Sequence, residues 1–117
     1  MSGYSLINYK GKDILYVDYT GMSKDEILRT MDEATVYALE LNKPLLRLSN
    51  MTGVFAVKEV VEKAKVSGKT TNHLTIKRAA VGITGAKKVL FNAFNRFSGN
   101  STRAFDTVGD AKDWLVI

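Results

Sequence analysis

The chain has 117 residues, 45% of them hydrophobic and 25% charged, which suits one globular domain with a single core. It contains no cysteine and one histidine, so a disulfide framework, thiolate chemistry and a Cys- or His-rich metal centre are excluded. The net charge of +5 is unevenly spread: residues 58–103 carry ten Lys/Arg against Glu59 and Glu62, residues 1–57 carry six against seven acids, and residues 104–117 carry one against three.

A basic segment inside a folded domain attracts phosphates, acidic lipid head groups or an acidic protein surface; the alternative is a solvated face that keeps the protein soluble. The N-terminus shows no charged-then-apolar signal segment, and no apolar run approaches the ~20 residues of a bilayer span. Cytoplasmic residence is therefore the expectation.

Ser5 to Tyr9 is a short apolar–polar run, Lys10-Gly11-Lys12 a turn, and Asp13 to Tyr19 an alternating run with Ile14, Tyr16 and Asp18 on one side and Leu15, Val17 and Tyr19 on the other. Two β-prone runs about a glycine turn predict a hairpin. Ser23-Lys24-Asp25-Glu26 then matches a capping box, with Asp25 and Glu26 at the favourable end of the helix dipole. Ile27, Met31, Ala34, Ala38 and Leu41 share one helical face, and Asn42-Lys43-Pro44 ends the helix because the residue before proline avoids the α region.

Leu45 to Leu48 reads as a second buried strand and Ser49 to Gly53 as a polar loop at its end. Val57, Val60, Val61 and Ala64 mark a helix ending near Ser67-Gly68, with Thr70 to His73 as loop. Thr75 to Thr84 is a third buried strand through Ala79, Ala80, Val81 and Ile83, in which Gly82 and Gly85 permit close backbone approach. The helix from Ala86 to Phe97 places Ala86, Val89, Leu90, Ala93, Phe94 and Phe97 on one apolar arc, with Phe91, Lys87 and Asn95 outside it and Lys88, Asn92 and Arg96 on the next ridge. Ser98-Gly99-Asn100 stops this helix. Arg103-Ala104-Phe105 is a short strand, and Asp106 or Thr107 caps a last helix that turns Val108, Ala111, Trp114 and Leu115 inward.

The order β-β-α-β-α-β-α-β-α over residues 1–117 implies a single α/β domain. Its sheet is mixed and mainly parallel, with five strands, right-handed crossovers and four helices packed on it.

That order resembles the STAS superfamily of anti-sigma-factor antagonists (a SpoIIAA-like fold) and its CRAL-TRIO-type lipid-transfer relatives, in particular small stand-alone bacterial STAS/CRAL-TRIO-like proteins. The residues that carry the likeness are Tyr16-Val17-Asp18-Tyr19-Thr20-Gly21, Met51-Thr52-Gly53, Ala80-Val81-Gly82-Ile83-Thr84-Gly85, Asn95-Arg96-Phe97-Ser98-Gly99, and Phe105-Asp106-Thr107 with Ala111 and Trp114-Leu115. The resemblance implies a signalling or ligand-sensing role. In the antagonists the loop after the second buried strand reads Asp-Ser-Ser/Thr-Gly, and its first serine is phosphorylated. Here Asn50-Met51-Thr52-Gly53 puts a methionine there, so a phosphoswitch would need Thr52 or Ser49 read in a shifted way.

Open α/β sheets place their sites at the loops that follow the parallel strands. Thr20, Asn50, Thr52, Thr84, Gly85 and Lys88 are the ligand-binding candidates on that rule. In the Ser49–Gly53 loop, anion binding at a helix N-terminus stands against ordinary capping by Thr52 or Asn50. The Gly82–Lys88 turn lacks the spacing of a P-loop, but its two lysines oppose the helix dipole, which a bound anion would offset. Phe91, Asn95 and Arg96 form the candidate partner surface, an aromatic beside Asn and Arg, against the alternative of a solvated face.

His73 has no visible nucleophile or orienting partner, and Asp18 reads as an acceptor for the next turn. No RNP, KH or helix-turn-helix pattern is present, which leaves only nonspecific, salt-sensitive nucleic-acid binding. The expected function is a non-enzymatic STAS-like binding or signalling module without a cofactor, recognising a protein partner or small ligand. The alternative is a carrier or sensor of a small apolar (lipid-like) or anionic ligand, which requires a cavity made by a helix standing off the sheet. Nothing in the sequence sets the oligomeric state, a homodimer included.

Overall fold

A computed structural model of the protein describes residues 3–54, 57–85, 87–97 and 102–117, apart from the side chains of residues 90, 93, 94 and 97. The alternating runs become strands β1 (Gly3–Tyr9), β2 (Lys12–Asp18), β3 (Leu45–Asn50), β4 (Thr75–Val81) and β5 (Thr102–Phe105). The periodic segments become helices α1 (Lys24–Leu41), α2 (Lys58–Thr71), α3 (Lys87–Phe97) and α4 (Val108–Leu115), and a 3-10 turn spans Asn72–Leu74. The chain is thus an α/β fold with a five-stranded mixed sheet and four helices.

The strands lie in the order β1-β2-β3-β4-β5. β1 pairs antiparallel with β2, and the remaining pairs are parallel. Three crossovers in succession step the same way across the sheet, and right-handed connections that do so carry their helices over one face. On that face Leu15, Val17, Tyr19 and Leu45 pack with Ile27, Met31, Ala34 and Ala38 of α1 and Val60 of α2. α4 follows the last strand and covers the other face, where Ala111 and Leu115 meet Ile14, Leu46, Leu48, Ala79 and Val81. A strand buried on both faces reads as a near-continuous apolar run, which is why Leu45-Leu46 and Ala79-Ala80-Val81 have no alternation.

Helix ends follow the local chemistry. The Ser23 hydroxyl accepts from the Glu26 N–H at 3.2 Å while Glu26 Oε1 accepts from the Ser23 N–H at 3.0 Å, closing the capping box. Asn42 takes the left-handed conformation, φ 47°, at the other end of α1. Of Asp106 and Thr107 it is Thr107 that caps α4, accepting from the Asp110 N–H at 3.1 Å.

Three boundaries differ from the sequence reading. β4 ends at Val81, because Gly82 turns to φ 85° and leaves the ladder. α2 runs through Ser67-Gly68 to Thr71; the Thr71 hydroxyl donates back to Ser67 O, and Arg78 reaches the Gly68 carbonyl, so the glycine is held inside the helix rather than ending it. β3 extends through Ser49-Asn50, which are therefore strand and not loop.

One expectation for α3 is also corrected. Val89, expected inward, is 72% exposed, while Lys87, Phe91 and Asn95 turn toward the body of the protein. The cause is polar anchoring: Lys87 Nζ donates to Met51 O at 3.0 Å, and Asn95 exchanges two hydrogen bonds with the backbone of Thr102. The expectations for Ala86, the side chains of Leu90, Ala93, Phe94 and Phe97, and the stop at Ser98-Gly99-Asn100 lie outside the described residues. Among the described residues no helix is long and apolar enough to cross a membrane.

Candidate functional site

The crossover face is not filled to the same degree along its width. Over β2, apolar side chains of α1 and α2 meet the sheet directly. Over β3, β4 and β5 the inward residues are Arg47, Ser49, Arg78, Ala80 and Thr102, and α3, which rests on α2, leaves a cavity of about 150 Å³ above them. Met31, Val60, Ala64, Ile83 and Phe91 supply apolar wall. A cavity of this volume holds a group the size of one six-membered ring.

Its floor is polar and cationic. Arg47 and Arg78 are register partners across the parallel β3–β4 pair, so their side chains leave the same face side by side. Arg78 is 8% exposed. Its Nη2 donates to Gly68 O at 3.0 Å, Thr71 Oγ1 at 3.2 Å and Thr75 Oγ1 at 3.3 Å, whereas its buried Nε has no acceptor among the described residues. Arg47 Nη1 donates to the same Thr71 hydroxyl, also at 3.2 Å.

Burial, and then the charge of Arg47, pulls the Arg78 guanidinium down to about 10; burial likewise lowers Arg47. Both remain cations at neutral pH. Beside them, burial pushes the Tyr19 phenol up to about 12 against the opposing pull of Arg47, so it stays neutral. The ion pairs of the described residues join Lys10–Asp113, Lys24–Glu59, Lys43–Asp13, Lys63–Asp32 and Lys65–Glu62, none of which involves these arginines.

The residues singled out in the sequence are distributed differently. Thr20 is exposed, its N–H bonded to Asp18 Oδ1 at 3.0 Å, so Asp18 serves as the turn acceptor. Asn50 Oδ1 accepts from the Thr52 N–H at 3.1 Å and hydroxyl at 2.7 Å, and Asn50 Nδ2 donates to the Tyr16 hydroxyl at 3.2 Å. These bonds tie the loop to itself and to the α4 side of the sheet. They do not cap α2, whose N-cap is Val57 without a side-chain bond.

Thr84 and Gly85 are exposed, and their carbonyls take the Lys87 and Lys88 N–H groups at 3.2 and 3.1 Å. Those two amides are therefore used within the turn. Lys88 is exposed, and its neighbour Lys87 is the lysine that reaches the cavity. Of the expected partner surface, only Arg96 is exposed; Phe91 lines the cavity and Asn95 braces β5. His73 sits in the 3-10 turn.

Sequence reasoning missed Arg47 and Arg78. The signal was present: a charged residue inside a run otherwise buried on both faces, as in Leu45-Leu46-Arg47-Leu48, is unusual and asks for a partner. Gly82 was expected to allow close approach and does so: a Cβ there would lie 2.5 Å from Thr52 N. That contact fixes where β4 stops and hence where α3 begins, at the rim of the cavity.

No protein-family model, curated protein or solved structure matches the chain.

Proposed function

We propose that the protein is a non-enzymatic, STAS-like binding module that takes a small ligand into the cavity between α3 and the sheet, as a carrier or sensor. The observation that carries this reading is the cavity itself, about 150 Å³ at the place where the third crossover helix stands off the sheet. A partly open, ring-sized pocket with apolar walls and a polar floor has the composition of a ligand site. Among the described residues no carboxylate or histidine lines it, so no ordinary general base faces a bound molecule. The exposed Thr52-Gly53 and Thr84-Gly85 turns are not part of its lining, and Met51, which does line it, has no hydroxyl to phosphorylate.

The reading is tested with ring-sized probes: benzyl alcohol, benzamide, benzoate and phenyl phosphate, each titrated while the unfolding midpoint and amide chemical shifts are followed. Ala80 is buried on the cavity floor, so Ala80→Leu places a larger side chain in the space. At least one probe should raise the unfolding temperature of the natural protein, shift amides of β3, β4 and α3, and lose both effects in Ala80→Leu. No binding by any probe would overturn the reading.

A further inference from the structure

We propose that the cavity selects a compact organic oxyanion, a carboxylate or phosphate carried on an apolar body of about ring size, with Arg47 and Arg78 as its paired counter-charge. The inference rests on the cavity being a ligand site and adds what the ligand must carry. Like charges placed directly opposite on neighbouring strands repel, and a buried cation needs a partner to offset its lost hydration. Arg47 and Arg78 stand opposite each other in the β3–β4 register, on the covered face of the sheet, with no carboxylate in ion-pair reach among the described residues.

Their partners, the Thr71 and Thr75 hydroxyls and the Gly68 carbonyl, solvate and orient the guanidinium groups without neutralising them. Because Thr71 Oγ1 accepts from both arginines, it holds their ends together as one cationic patch, and the buried Arg78 Nε is a donor without an acceptor among the described residues. Lys87 lines the same cavity and adds a third positive charge. An oxyanion accepts two or more guanidinium hydrogen bonds in a fixed fork geometry. The apolar half of the specificity comes from Met31, Val60 and Phe91 on the opposite wall.

The test is a comparison within matched probes by calorimetric titration. Benzoate should bind at least about tenfold more tightly than its neutral isostere benzamide, and phenyl phosphate more tightly than benzyl alcohol by a similar factor. Inorganic phosphate, which has the head without the body, should bind more weakly than phenyl phosphate. Arg47→Met should abolish the preference for the anion while leaving benzamide binding in place. Should that variant fail to fold, Arg47→Lys, which keeps the charge and loses the fork, should weaken benzoate severalfold against benzamide. Equal affinity for benzoate and benzamide, or a preference that survives Arg47→Met, would overturn the proposal while leaving the cavity a ligand site; inorganic phosphate binding as tightly as phenyl phosphate would overturn its apolar half. Failure of all four ring probes would instead remove the cavity reading on which it rests.

Discussion

Gly82 shows how one residue places a site it does not itself form. Its φ of 85° belongs to the left-handed region, where an L side chain costs roughly 1–2 kcal/mol. In addition, a Cβ would sit 2.5 Å from Thr52 N, 2.6 Å from Thr52 Cα and 2.8 Å from Met51 C, all of them backbone that cannot step aside as a side chain would. Overpacking of this kind adds about 1–3 kcal/mol. Gly82→Ala should therefore lower the unfolding free energy by roughly 2–5 kcal/mol. Gly85, at φ 57° with nothing within 4 Å of an added Cβ, should lose only the backbone term of roughly 1–2 kcal/mol on substitution by Ala. Urea denaturation of both variants checks this, and equal losses would show that the approach of Thr52 to Gly82 is not tight. The sequence shows that a glycine ends this strand but not that the chain passing behind it is Met51-Thr52, because that proximity is a property of the sheet order. The same limit hid the arginines: each is visible as a charge in an apolar strand, but their pairing is a matter of register, which no single strand encodes.

Helix α1 and helix α3 differ in how their seats are encoded, and the difference explains which one was legible. α1 carries a capping box and an apolar face of Ile27, Met31, Ala34 and Ala38, all buried, so periodicity and burial agree. α3 has an equally clear apolar arc in its sequence, yet Val89 of that arc is exposed while Lys87, Phe91 and Asn95 turn inward. Its orientation is set by hydrogen bonds at its two ends, from Lys87 to Met51 O and between Asn95 and Thr102, and such bonds leave no mark on hydrophobic periodicity. A helix tethered by hydrogen bonds at its two ends beside a cavity belongs to the low-stability end of the molecule. Amide hydrogen exchange should accordingly be faster throughout α3 than in α1. Asn95→Ala frees both the N–H and the C=O of Thr102, and net hydrogen-bond contributions near 1 kcal/mol each put its cost at about 1–2 kcal/mol. It should speed exchange in α3 and β5 while leaving α1 unchanged; a uniform change across the chain would mean that α3 is not an independently opening unit.

Across the whole molecule, long-range ties run through surface carboxylates that the fold holds in their charged form. The Tyr9 hydroxyl and the Lys10 ammonium both donate to Asp113 Oδ1, joining the β1–β2 hairpin to α4 at the other end of the chain. Lys43 Nζ donates to Asp13 Oδ2 at 2.8 Å, joining the hairpin to the start of β3. The Tyr9 hydrogen bond, with that of Lys10, holds the Asp113 carboxyl below the usual carboxylate range; Lys43 and Asn8 do the same for Asp13, and the Ser23 backbone and hydroxyl for Glu26. The sign follows from linkage. A carboxyl whose value is lower folded than unfolded binds fewer protons when folded, so its contribution is complete above the ordinary carboxylate range and disappears as pH falls through the lowered value. The urea midpoint should therefore hold between about pH 7 and pH 5 and then decline. A basic chain also gains net charge as its acids are protonated, and self-repulsion alone produces a decline on the same side. Asp113→Asn separates the two causes. It keeps a carbonyl oxygen for Tyr9 and removes the charge that binds Lys10, so its midpoint should start below the natural protein at pH 7, and the gap should close as pH falls through the lowered value and Asp113 itself takes up a proton. Two curves that stay parallel throughout the acid decline would show that the tie to α4 owes nothing to the carboxylate charge.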